Sequence, residues 1–93
     1  MHVHVVRSGG FAGLTLEGDL DLATLPPDER ERVEDVLAQL QSSRGPSAPD
    51  QFQYDLTITT DEGGSREVTL HEADVPDQLR PLFAAALLPS GGG

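Results

Sequence analysis

Phe52-Gln53-Tyr54-Asp55-Leu56-Thr57-Ile58-Thr59 alternates apolar with polar side chains for eight residues, the period of a strand with one face buried and the other in water. Asp61-Glu62-Gly63-Gly64 is a turn, and Ser65 to His71 returns with Arg66, Val68 and Leu70 on one face and Glu67, Thr69 and His71 on the other. The result is an antiparallel hairpin. Upstream, Ser43-Arg44-Gly45-Pro46-Ser47-Ala48-Pro49-Asp50 holds two prolines and a glycine among small polar residues and reads as a loop. Before it, Val33, Val36, Leu37 and Leu40 recur at helical spacing behind Pro26-Pro27-Asp28-Glu29, an opening suited to a helix N-terminus. The pattern predicts a helix from about Pro26 to Ser42, with Arg30, Glu31, Glu34, Asp35 and Gln41 on its solvated face.

Further upstream, His2 to Arg7 alternates again and stops at Ser8-Gly9-Gly10. Leu14-Thr15-Leu16-Glu17 resumes the period, with Leu20 and Leu22 extending it past Gly18. This is a second hairpin with a glycine-rich loop. At the other end of the chain, Asp74 is placed to cap a last helix through Pro76, Asp77, Leu79, Leu82, Phe83, Ala86 and Leu87, which Pro81 should bend or split. The order strand-strand-helix-strand-strand-helix predicts an α+β fold: a four-stranded antiparallel sheet of two hairpins with the helices packed on one face. A single domain over residues 1–88 is expected, followed by a disordered glycine-rich tail at 89–93. Counting chain reversals puts Ser8–Gly13, Ser43–Asp50 and the region of Asp74 at one end, and the Asp61–Gly64 turn at the other.

Six basic and sixteen acidic side chains, with no lysine, leave a net charge of −10. Such a charge repels phosphate backbones and anionic lipid headgroups, so neither nucleic acid nor a membrane surface is an expected partner. The absence of cysteine removes disulfides, thiolate metal sites and cysteine nucleophiles together. No signal layout opens the chain and no apolar run reaches the ~18 residues of a membrane span, so a cytoplasmic location is the expectation.

Few residues invite chemistry. His2 and His4 point to one face of a strand and form half of a metal shell that His71 or a carboxylate would have to complete; the simpler reading is polar surface. The carboxylate pairs Asp19 with Asp21 and Glu34 with Asp35 lie in charged surroundings that would not split their pKa values. No nucleophile elbow is present. No catalytic residue, metal or cofactor is therefore assigned. The glycine loop Ser8-Gly9-Gly10-Phe11-Ala12-Gly13 is no phosphate cradle, because no helix follows it. Phe11 either plugs the end of the core, worth roughly 2 kcal/mol of burial, or stands out as an aromatic recognition point.

Val5-Val6-Arg7-Ser8-Gly9-Gly10-Phe11-Ala12-Gly13, Leu25-Pro26-Pro27-Asp28-Glu29, Tyr54-Asp55-Leu56-Thr57-Ile58 and Asp74-Val75-Pro76-Asp77-Gln78-Leu79-Arg80-Pro81-Leu82 together resemble the emfourin family, small protein inhibitors of thermolysin-like metalloproteases such as protealysin. The resemblance implies an inhibitor that docks over the active-site cleft of such a protease, with the zinc belonging to the partner. It implies no enzyme activity of the chain's own. Combined with the strand parity, it nominates Ser8, Gly9, Gly10, Phe11, Ala12, Gly13 and Arg44 as the contact end of a protein that is monomeric when free. The alternative is an acidic interaction module for another protein, using Glu31, Glu34 and Asp35 or Glu17, Asp19 and Asp21.

Overall fold

A computed structural model describes residues 1–9, 15–45 and 51–87. Strands β1 (His2–Gly9), β2 (Leu16–Asp21), β3 (Phe52–Thr59) and β4 (Ser65–His71) alternate with helices α1 (Pro27–Gln39) and α2 (Arg80–Leu87) in the predicted order. Short 3-10 turns follow β2 at Leu22–Thr24 and β4 at Glu72–Asp74. The sheet order is β2-β1-β3-β4 with every neighbouring pair antiparallel. β2 and β3 are thus parallel, separated by β1, and α1 is the crossover between them.

The period of two decides which face is buried. Val3 and Val5 of β1 stand in register with Leu56 and Ile58 of β3, and Val68 and Leu70 of β4 continue the same face. Val33 and Leu37 of α1, with Leu40 just after it, cover it, as do Phe83 and Leu87 of α2, with Leu79 just before it. Tyr54 and Phe83 meet with ring centroids 5.8 Å apart. His4, Val6, Asp19, Asp55, Thr57, Glu67 and Thr69 fall on the opposite face, which contributes no residue to the described core.

Several boundaries differ from expectation, each for a local reason. The first helix ends at Gln39 rather than Ser42, because Leu40 turns into extended backbone (φ −65°, ψ 138°). The guanidinium of Arg66, on the packed face of β4, donates to the carbonyls of Leu37 and Leu40 and so satisfies the end of α1. The last helix starts at Arg80, not near Asp74, with Phe83 N–H donating to Leu79 O at 2.9 Å. Pro81 therefore lies in the first turn, where its missing N–H has no helical partner to lose, and it neither bends nor splits the helix. Asp74 caps nothing helical; its carboxylate accepts from the Ser43 hydroxyl.

Gly18, past which the alternation was expected to continue, sits in the middle of β2. A Cβ there would lie 1.9 Å from Ala86 O, so only glycine lets α2 approach this closely. Leu22 leaves the strand and enters a turn capped by Asp21, whose carboxylate accepts from Ala23 N–H at 3.0 Å, and is fully buried. No helix of the described residues is long and apolar enough to cross a membrane. Gly10, Phe11, Ala12 and Gly13 of the predicted contact loop, and the tail at 89–93, lie outside the described residues.

Candidate functional site

The end expected from strand parity is assembled from four chain segments. Ser8 and Gly9 stand in register with Gln53 and Phe52 of β3, and Gln53 with His71 of β4. Gly9 has φ +91°, and a Cβ on it would come within 2.9 Å of Gln51 O. The roots of the 10–14 and 46–50 segments are thus in direct backbone contact. Beside them, the Arg7 guanidinium lies 4.2 Å from the centre of the Phe52 ring, a cation–π contact. Phe52 N–H donates to Glu72 Oε1 at 3.0 Å, joining the start of β3 to the turn after β4.

Ser42 and Ser43 bind the other side of this end. Ser43 N–H donates to Thr69 O at 2.8 Å, its hydroxyl donates to Asp74 Oδ2 at 2.6 Å, and it accepts from His71 N–H at 2.9 Å. The Ser42 hydroxyl accepts from Thr69 N–H at 3.0 Å. Arg44 follows this staple directly and is exposed. Ser8, Gly9 and Arg44 accordingly occupy one end of the sheet, on either side of the first residues of β3. Sequence reasoning missed Glu72, Phe52 with Arg7, and the serine pair. The only available signal was two adjacent hydroxyl residues after a helix, a weak one.

The histidines are not gathered. His2 Nε2 and His4 Nδ1 each lie 2.9 Å from the same Asp19 Oδ1 on β2, and His4 Nε2 lies 4.0 Å from Glu17. Hydrogen bonds from His4 and then His2 hold the Asp19 carboxyl below its ordinary value of 3.8. His71 belongs to the opposite end of the sheet, 4.0 Å from Asp74. Among the described residues no group of three or more histidine and carboxylate side chains is placed to hold a metal ion. The Asp19–Asp21 pair is divided between these histidines and the cap at Ala23.

The far end is closed differently. The Met1 ammonium lies 2.8 Å from Asp61 Oδ1, which raises the amine above 8.0 and lowers Asp61 below 3.8. The described site thus offers backbone, hydroxyls and an arginine on a braced sheet end, an arrangement suited to contact with a protein surface.

The model of the Emfourin family matches residues 5–87. The chain belongs to the emfourin family. The match runs from Val5, within β1, through to Leu87 at the end of α2, and includes Ser8–Gly13 and Arg44. No curated protein and no solved structure matches the chain. Emfourins are metalloprotease inhibitors, so membership implies a metalloprotease-inhibitor role in general for the chain.

Proposed function

We propose that this emfourin inhibits a thermolysin-like zinc metalloprotease by docking the Ser8–Gly13 and Arg44 end over the active-site cleft. The observation that carries the reading is the family match across all four strands and both helices. Its placement on this end is supported by the bracing of the two loop roots. Gly9 touches Gln51, Glu72 holds the amide of Phe52, and Ser43 ties Arg44 to β4. A frame already ordered before binding loses less conformational entropy on association, which favours a tight complex. Gly10, Phe11, Ala12 and Gly13 supply the contact surface on this reading, with Phe11 as the anchoring side chain. The inhibitor acts as a monomer in the cytoplasm, and the zinc is the protease's.

The test is inhibition of peptide hydrolysis by a thermolysin-like protease. Phe11→Ala should weaken inhibition by about 2 kcal/mol, some thirtyfold, with little change in melting temperature. A core plug would behave in the opposite way, costing about 3 kcal/mol or more of stability while the folded fraction still inhibits. Arg44→Ala and Gly10→Val should also weaken inhibition, whereas Glu62→Arg at the far turn should not. If Glu62→Arg abolishes inhibition and the other three leave it intact, the contact end is the wrong one.

A further inference from the structure

The hydrogen-bond parity of the sheet shows which backbone groups face outward at each edge. Leu22 N–H donates to Met1 O at 3.1 Å, so in β2 the alternate residues Leu16, Gly18 and Leu20 turn their amides and carbonyls toward β1. Glu17, Asp19 and Asp21 turn theirs outward. At the other edge, Thr60 N–H donates to Gly64 O, which leaves Glu67, Thr69 and His71 of β4 outward. There the chain covers its own edge, since Ser42 and Ser43 engage Thr69 and His71. At β2, among the described residues, only Asp21 O is engaged, by the Thr24 hydroxyl at 2.7 Å. Among the described residues nothing hydrogen-bonds the outward amides and carbonyls of Glu17 and Asp19.

A groove of about 400 Å³ runs beside this open edge. Leu20, Leu25, Leu82 and Ala86 give it an apolar lining, and Asp19 and Asp21 border it. On the other side of the strand, the side chains of Glu17 and Asp19 are 69% and 59% exposed. We propose that the β2 edge is a strand-addition site for an extended polypeptide segment in which apolar residues alternate with lysine or arginine. Added antiparallel, such a segment pairs its backbone with Glu17 and Asp19. One set of alternate side chains then enters the apolar groove and the other meets the carboxylates.

Charge selects this occupant over a second copy of the chain. Two β2 edges paired together would set Glu17, Asp19 and Asp21 against the same three carboxylates, in a protein of net charge −10. The site is on the opposite edge of the sheet from the serine staple and does not depend on the inhibitory reading.

The experiment is residue-resolved amide hydrogen exchange on the full chain, with and without a short blocked peptide of alternating valine and lysine. The expected result is slowed exchange at Glu17 and Asp19, with an affinity that falls as salt is raised. The double charge reversal Glu17→Lys with Asp19→Lys should weaken binding at least about tenfold. In an antiparallel pair the lysines that face the carboxylates also direct their amides to β2. N-methylation of the lysines should therefore abolish binding and N-methylation of the valines should preserve it, a comparison that needs no protein variant. No protection at Glu17 and Asp19, or equal protection by a valine–glutamate peptide, overturns the proposal. So does protection in the peptide-free protein that grows with concentration, or that disappears on removal of residues 88–93, because a second copy or the chain's own end would then be the occupant.

Discussion

β4 and β2 both end the sheet, and the molecule treats them in opposite ways. At β4 two serines leaving α1 bond the outward backbone of Thr69 and His71. At β2 the outward backbone of Glu17 and Asp19 is accompanied by carboxylates. Either device discourages indiscriminate edge-to-edge pairing, one by occupying the backbone and the other by charge. They differ in what they leave available. The covered edge fixes Arg44 beside the loop roots, whereas the acidic edge keeps its backbone groups and excludes only partners of like charge.

The largest expected effect lies where α2 closes over β2. Gly18→Val sets a side chain against Ala86 O and should cost about 3 kcal/mol or more, read by urea unfolding. If stability is unchanged, the close approach that forms the groove beside β2 is not there. Arg66→Met keeps the aliphatic stem but removes the cap from Leu37 O and Leu40 O, and should cost about 2 kcal/mol in the same measurement. Ser43→Ala should cost about 1–2 kcal/mol and speed amide exchange at His71, making the β4 edge resemble that of β2. An unchanged exchange rate at His71 would remove the distinction between the edges.

The smallest effects are electrostatic, and their signs follow from the charge partners. Asp19 is depressed in the folded state, so its contribution to stability is present above 3.8 and is lost as pH falls through the lower folded value. Asp19→Asn should flatten that part of the acid limb in a series of melting curves. The Met1 ammonium is raised, so its contribution is present below 8.0 and is lost as pH rises through the higher folded value. N-terminal acetylation should remove that alkaline loss. Both groups are at the surface, so each change should be slight beside those of Gly18, Arg66 and Ser43.

Those three residues also mark where the sequence was hard to read. β3 and β4 were legible to the residue, because strict alternation has one structural meaning and Asp61–Gly64 can only turn. The shared end of Ser8, Gly9 and Arg44 was legible from counting reversals. The end of α1 was not, because its apolar spacing runs on to Leu40 while the cap comes from Arg66 on a distant strand. The need for glycine at Gly18 was not legible, since its reason lies in Ala86, a contact between residues far apart in sequence. The start of α2 was misplaced because Pro81 suits a first turn as well as a kink, and only the packing of Leu79 and Phe83 decides between them.

The most direct measurement of the inhibitory reading is a titration of a thermolysin-like metalloprotease with the full chain, following peptide hydrolysis in the presence of added zinc. The account predicts that activity falls to a stoichiometric end point that added zinc does not move, with no effect on a serine protease. Undiminished hydrolysis across a panel of such metalloproteases at excess inhibitor, or inhibition that added zinc reverses, would contradict it.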